Sequence, residues 1–306
     1  MLLGRIIEVA DDQRHLAAYR GFLVVKSTAG KWKEMGRIPL DDVGALICNA
    51  HGLSYTNNLL VALAERTAPM VLCGQNHNAV GMLLSIDGNF RQAKRFDAQA
   101  AVSKPVQKQL WAQIVRAKLL MQALVLEAYG VPAAPLRMMM KRVRSGDAAN
   151  LEAQGARYYW QQLFGDTFRR DRKEDGLNSL LNYGYTVLRA ATARAIVAAG
   201  LHPTLGLHHQ NENNAMRLVD DLMEPYRPLI DLRIRQLSNE NVESVTPDAK
   251  RALVLSLYED IESPVGRTPV MVALQRTALS LVRVYLREDK KLELPSTLYL
   301  PDTEDD

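Results

Sequence analysis

The sequence predicts an α+β protein: a small β-rich, sandwich-like N-terminal domain followed by a larger all-helical C-terminal domain. Three observations predict it. Through the first 90 residues the apolar runs are short and bounded by turn residues. From about Asp97 onward apolar positions recur with the 3.6-residue period of a helix. The change of rhythm falls at one place, Gly88–Phe96.

In the first part the apolar runs are Leu3–Val9, Gly21–Lys26, Arg37–Leu40, Val43–Cys48, Met70–Cys73 and Val80–Ile86. Asp11-Asp12, Ala29-Gly30, Asp41-Asp42 and Asp87-Gly88 punctuate them, as turns between strands would. The stretch Thr56–Arg66 departs from this pattern. Leu59, Leu60, Leu63 and Ala64 sit at helical spacing behind a Thr56 cap, so one helix is expected inside the β-rich part. Beyond the break, Trp111, Ile114, Val115, Lys118, Leu119, Gln122 and Leu126 mark one face of a long amphipathic helix, Lys118 through its aliphatic stem. Further helices are expected near 136–145, 148–164, 177–199, 214–240, 248–261 and 268–285. The division is therefore 1–90 (β-rich), 91–296 (helical) and 297–306, an acidic tail expected to be disordered.

Hydrophobic residues at 47% and charged residues at 24% exclude wholesale disorder. The net charge is +4, yet Pro301–Asp306 holds four acids and no base, so the remainder carries +8. Such a balance suits a polyanion partner such as nucleic acid. The two cysteines, Cys48 and Cys73, lie in apolar runs and are expected as buried free thiols in a reducing compartment. Arg5 and Glu8 interrupt the N-terminal apolar stretch, and no run reaches the roughly 18 apolar residues of a membrane span. A soluble, cytoplasmic protein with no membrane partner is the expectation.

Three places put polar residues where helical faces should be apolar. In the first, Ala156, Tyr159, Trp160 and Leu163 form a stripe that, one turn back, carries Glu152, with Asp147 as the expected N-cap. A carboxylate on a buried stripe costs several kcal/mol unless a cation or hydrogen bonds meet it; a wet first helical turn is the alternative. In the second, His208 and His209 end a loop after Gly206, and a helix follows from an Asn214 cap. Its Asp221 and Glu224, three residues apart, share a face and are close enough to share a cation, while Pro225 removes a helical N–H and predicts a kink. In the third, Asn178, Asn182, Tyr183 and Tyr185 alternate with apolar residues, as helix–helix hydrogen bonding would also require.

Taken in order, these segments resemble the CRISPR-associated integrase family of spacer acquisition, the universal adaptation endonuclease. Glu152 to Trp160 is similar to its Glu-Gly-x-Ala-Ala-Arg-x-Tyr-Trp motif, and Asn178 to Tyr185 to its Asn-x-x-Leu-Asn-Tyr-Gly-Tyr motif. Gly200-Leu-His-Pro203 through Gly206-Leu-His-His209 and Asp221-Leu-Met-Glu-Pro-Tyr-Arg-Pro228 resemble its two remaining motifs. The paired histidines and the Asp-Asp-Leu-Met-Glu-Pro run look most like the type II branch. The resemblance implies a catalytic metal site of Glu152, His209 and Glu224, holding Mg²⁺ or Mn²⁺. His208 competes with His209 for the ligand role, and the count to Glu224 favours His209. Asp221 orients a ligand or binds metal-bound water, and Asn182 belongs with His208 and Asp221 as a supporting residue. Two departures stand out: glycine at 155 rather than directly after Glu152, and Glu224 where several branches have Asp.

The implied activity is metal-dependent DNA cleavage and strand transfer, joining protospacer 3′-OH ends to CRISPR repeat borders. The implied partners are DNA, a second copy of the chain, the smaller second universal adaptation protein and, in the type II branch, the effector nuclease. Two basic clusters supply candidate phosphate contacts: Arg137, Lys141, Arg142 and Arg144, then Arg169, Arg170, Arg172 and Lys173. Solvated helix faces are the alternative. A di-iron helical protein is excluded because no histidine has a Glu three residues before it. A structure-specific DNA repair nuclease and a non-catalytic DNA scaffold remain the competing readings.

Overall fold

Strands β1 (Arg5–Val9), β2 (Arg14–Tyr19), β3 (Phe22–Ser27), β4 (Lys33–Pro39), β5 (Val43–Cys48) and β6 (Leu53–Tyr55) precede helix α1 (Asn57–Glu65). Strands β7 (Met70–Cys73) and β8 (Ala79–Leu83) follow it. The fold is that of a computed structural model, which describes residues 4–74, 79–263 and 266–298. Two four-stranded sheets result, ordered β1-β5-β7-β8 and β4-β3-β2-β6. In the first, β5 runs parallel to both β1 and β7, and β8 closes the edge antiparallel. Val9, Leu46 and Met70 of that sheet, Leu16 and Leu23 of the other, and Leu59 and Leu63 of α1 form one small core. The hydroxyl of Thr56 accepts from the Leu59 N–H, the cap read from the sequence. Strands β2 and β6 were not marked by any apolar run; in Arg14–Tyr19 only Leu16 is buried.

The second part opens with α2 (Gln92–Ala100), α3 (Lys104–Ala128), α4 (Ala134–Arg142), α5 (Leu151–Phe164) and α6 (Leu177–Ala198). It continues with α7 (Arg217–Met223), α8 (Arg227–Asn239), α9 (Pro247–Leu255) and α10 (Val270–Tyr285). The long helix expected through Trp111–Leu126 is α3, with Pro105, lacking an N–H, in its first turn, while the helical rhythm that begins near Asp97 is interrupted ahead of it, between α2 and α3. The helix expected over 214–240 is likewise interrupted: a 3-10 turn at Glu224–Tyr226 separates α7 from α8, with Pro225 inside it. Asn214 does not cap α7 directly; its side-chain oxygen accepts from Met216 N–H in the turn before the helix.

The helical part also carries a small sheet that corrects its description as all-helical. The helix expected over 248–261 ends at Leu255, and β9 (Asp260–Ser263) pairs with β10 (Gly266–Pro269) and with β11 (Thr297–Leu298). Asp260-Ile-Glu-Ser buries Ile261 alone, a period-two pattern hidden in a segment too short to signal a strand. Of the acidic tail, residues 299–306 lie outside the described residues.

The two parts share a core. From Ala45 to Cys48 the side chains of β5 alternate between the small core and the large helical one, to which Ile6, Ala45, Ile47, Val71 and Cys73 contribute. Polar links cross the same seam: Tyr183 of α6 donates to Glu8 of β1 at 2.8 Å, and Lys250 of α9 reaches Glu8 at 2.8 Å. Helix α3, buried over most of its length, is the central member of the helical part and packs against α4, α5 and α8.

Candidate active site

Helix α5 begins where it does because Asp147 caps it from a distance. The Asp147 carboxylate accepts from the N–H groups of Leu151 and Glu152 at 3.0 and 2.9 Å, while Asn150, in a left-handed conformation (φ 51°), turns the chain into the helix. Glu152 therefore sits in the first turn, where a carboxylate also opposes the helix dipole. Gly155 brings this turn against α3: a Cβ there would lie 2.2 Å from Leu119 Cδ2. The glycine displaced from its family position thus permits the close α5–α3 packing that aims Glu152 at α3.

The loop Gly206–His209 folds onto Asp221, which is completely buried. Its Oδ2 accepts from the N–H groups of Leu207 (2.6 Å) and His208 (3.1 Å). Its Oδ1 takes the His209 N–H (3.3 Å) and lies 2.6 Å from His209 Nδ1. A Cβ at position 206 would stand 2.9 Å from that same Oδ2, so glycine lets the loop close over the carboxylate. The hydrogen bond with Asp221 raises the pKa of His209, against the effect of burial. With Nδ1 engaged, Nε2 is the ring nitrogen left for a ligand, the arrangement that commonly orients metal-binding histidines. His208 instead stacks on Trp111, ring centroids 4.2 Å apart and planes 2° from parallel.

Between the two acidic elements lies a residue that sequence reasoning assigned only a packing role. The Lys118 ammonium touches a Glu152 carboxylate oxygen and stands 2.5 Å from Glu224 Oε2. Arg227 Nε lies 3.0 Å from the other Glu224 oxygen. Burial opposes the charge on Glu224, yet Arg227 and Lys118 outweigh it and hold the carboxyl down at about 2. Burial likewise opposes the ammonium, but Glu224 and Glu152 keep the Lys118 pKa above the ordinary lysine value. Two adjoining cavities, of about 280 and 230 Å³, open here. Glu152, His209 and Glu224 line both, and Lys118, Gln122, Arg170, Arg172, Arg227 and Asp231 line the first.

The basic wall of the first cavity is built by α6. Asn178 accepts from Arg170 Nη1 (2.9 Å) and Asn182 from Arg170 Nη2 (2.7 Å), while their amides donate to the carbonyls of Arg169 and Arg172. Two asparagines one turn apart thus pin the loop between α5 and α6. Tyr185 lies under both Arg170 and Arg227, with guanidinium carbons 5.6 and 4.7 Å from its ring centre, and donates to Asp231 at 2.5 Å. Burial pushes the Asp231 carboxyl up to about 7 even though Tyr185 and Arg227 pull it down.

The structure therefore gathers Glu152, His209 and Glu224 on shared cavities, with Asp221 and Asn182 behind them. Asp221 is not free to share a cation with Glu224, as the three-residue spacing proposed, because the loop fills its lone pairs. The basic clusters divide. Arg137 is spent on a bidentate pair with Glu127, and Arg169 bonds backbone carbonyls beside it. Arg142 and Arg144 are exposed and line neither cavity. Lys118, Arg227, Tyr185 and Asp231 were missed as site residues. The available signal was Lys118 and Gln122 at i, i+4 on an otherwise apolar face.

Two carboxylates and an imidazole with one nitrogen free are a donor set suited to Mg²⁺ or Mn²⁺. Among the described residues no three such side chains converge at metal-binding distance, and Lys118 takes the position between the two acids. The donors fit a divalent ion provided that the ammonium gives way.

The helical part of this α+β fold thus collects two acids, an anchored imidazole and guanidinium groups on one cavity. Residues 7–249 match the family model described as CRISPR associated protein Cas1. The chain is 37% identical over 272 residues to a CRISPR-associated endonuclease Cas1 of Neisseria meningitidis serogroup C (strain 8013), covering 87% of this chain and 89% of that one. This chain belongs to the CRISPR-associated Cas1 family. In fold it is similar to a casposase bound to integration product, with TM-score 0.82, 17% identity, and 99% and 96% of the two chains covered. It is also similar to a chain of a Cas6-RT-Cas1–Cas2 complex, with TM-score 0.77 and 18% identity, over 95% of this chain and 36% of that longer one. No helix among the described residues is long and apolar enough to cross a membrane.

Proposed function

We propose that this protein is a divalent-metal-dependent DNA endonuclease and integrase of CRISPR spacer acquisition, which joins protospacer 3′-OH ends to repeat borders. The observation that carries the reading is the meeting of Glu152, Glu224 and the Asp221-anchored His209 on two adjoining cavities, the first of them walled by Arg170, Arg172 and Arg227. Family membership and the Neisseria relative, named an endonuclease, support the same activity. Glu152, His209 and Glu224 would hold Mg²⁺ or Mn²⁺. A bound cation of this kind supplies Lewis-acid stabilisation of the phosphate and lowers the pKa of an attacking hydroxyl. The guanidinium groups of Arg170 and Arg227, preset by Asn178, Asn182 and Tyr185, orient the phosphate at the cavity mouth. His209 presents Nε2 as a ligand or as the group that returns a proton to the leaving oxygen.

The test is removal and return of the metal. Joining of a 3′-OH duplex end to a repeat duplex is expected to stop in EDTA and to resume with excess Mn²⁺ or Mg²⁺. Joining that persists in EDTA overturns the reading, and cleavage of branched DNA without joining turns it into that of a repair nuclease.

Arg142 and Arg144, exposed at the end of α4 and just beyond, serve in this reading as phosphate contacts outside the cavity. Replacing both by alanine is expected to lower the slope of log K against log salt by about 2 without changing sequence preference. An unchanged slope returns both to plain surface. The β-rich part, residues 1–90, serves as the surface for a homodimer. The casposase and Cas6-RT-Cas1–Cas2 neighbours, named with an integration product and with Cas2, support DNA and a small Cas2-type protein as partners. The effector nuclease is proposed as a further partner.

A further inference from the structure

Lys118 is an anomaly for the packing of α3. Its neighbours Val115, Leu119 and Met121 are buried and apolar, and it is itself only 7% exposed. A leucine or methionine would fill the space without the desolvation cost of an ammonium. What an apolar residue would not do is separate the charges of Glu152 and Glu224, which approach one another from α5 and from the turn after α7. Arg227 engages Glu224, whereas Lys118 engages both acids.

A second observation concerns Gln122, one turn further along the same face of α3 and lining the same cavity. It is 2% exposed, and its Oε1 is buried without a hydrogen-bond partner among the described residues. Buried acceptors left unpaired are uncommon and costly. Lys118 and Gln122 lie four residues apart on α3 and line one cavity, and the lysine stem is long and flexible enough to swing its ammonium from the acids toward the amide oxygen.

We propose that Lys118 is a built-in counter-ion that occupies the divalent-cation position between Glu152 and Glu224, and that ion binding displaces it toward Gln122. The inference rests on the reading that this cavity takes a divalent ion. Its consequence is a protein that stays folded without metal, because its acids are already paired, and that binds metal more weakly than the bare donors would. The ion must break an existing pair before it makes its own.

The experiment uses the full chain with Mn²⁺ as the probe, read by calorimetry and by melting in EDTA and in Mn²⁺. Lys118→Met is expected to lower the metal-free melting temperature by about 5 °C or more, because two partly or fully buried acids lose their cation. It is expected to tighten Mn²⁺ binding by about tenfold or more, so that Mn²⁺ raises its melting temperature more than the parent's. A variant that folds with Mn²⁺ and unfolds on chelation supports the same conclusion in stronger form. Gln122→Leu removes the waiting acceptor and is expected to weaken Mn²⁺ binding several-fold while leaving the metal-free melt unchanged or higher. The proposal is overturned if Lys118→Met binds Mn²⁺ no more tightly than the parent, or fails to fold even in its presence. A parent that joins DNA with Mn²⁺ while the variant shows no tightening removes the counter-ion role alone. A parent that neither binds Mn²⁺ nor joins DNA removes the functional reading with it.

Discussion

Alanine at Glu152, at His209 or at Glu224 is expected to reduce metal-dependent strand joining by roughly a thousandfold or more, and the triple variant is expected to be no worse than the singles. Residues that hold one ion act as a unit, so removing any one removes most of what all three provide. The three changes should differ in folding. Glu152 is about one-quarter exposed, at 26% of its side chain, so its loss leaves water to solvate what remains. Glu224 is different. Its side chain is 7% exposed and neutralises both Lys118 and Arg227, so alanine there leaves the half-buried Arg227 without its carboxylate and the buried Lys118 with Glu152 alone. Breaking a buried ion pair from one side costs about 3–5 kcal/mol, and part of any lost activity would then be lost protein. Glu224→Gln, which keeps the shape and one acceptor, is the cleaner test of the charge. The control is Glu212→Ala, an exposed acid on the neighbouring loop, which should be near-silent. Near-parent joining by Glu152→Ala would remove the ligand set and point to a different centre.

How much of this site could be read from the sequence depended on whether its partners were near in the chain. The start of α5 was legible to within three residues. Asp147, expected as N-cap of a helix from 148, does accept from its first N–H groups, but Asn150 holds the cap position and the helix begins at Leu151. The break at Pro225 was legible because proline acts locally. Lys118 was not: its two acids lie 34 and 106 residues away, and a single lysine in an apolar stripe reads as a stem reaching for water. The pairing of Asp221 with Glu224 failed for a related reason. Helical spacing places Cβ atoms on a face, but whether a carboxylate is available depends on what arrives from elsewhere, here a loop that occupies all of Asp221. The basic clusters divided for the same reason, since Arg137 has a partner ten residues upstream in Glu127, whereas Arg170, held by two asparagines of α6, faces the cavity with Arg172. The α+β order was clear from the change in period, whereas β2, β6 and β9 to β11 were too short, or too little buried, to leave a pattern.

Asp221→Ala is expected to cost more stability than any change to the three candidate ligands except Glu224→Ala, and to abolish joining although Asp221 touches no substrate. The reason is the number of groups it serves. Alanine would orphan three loop N–H groups, those of Leu207, His208 and His209, and release the ring of His209. Each buried donor left unpaired costs about 1–3 kcal/mol, so a total near 3–5 kcal/mol is expected after the loop relaxes toward water. His209→Ala is a fair comparison, because that side chain is 38% exposed and its loss should cost little stability. Asp221→Asn separates the two roles. One amide oxygen still accepts from the loop, so most of the fold should survive. The amide's NH₂ cannot accept, so the neutral ring loses the acceptor that fixes its tautomer and orientation. Joining should therefore fall far more than stability in Asp221→Asn, and both should fall together in Asp221→Ala. Denaturant unfolding beside a strand-joining assay, with hydrogen exchange on residues 206–209 as the local readout, decides it. Parent-like exchange on that loop in Asp221→Ala would mean that something other than this carboxylate holds the imidazole in place.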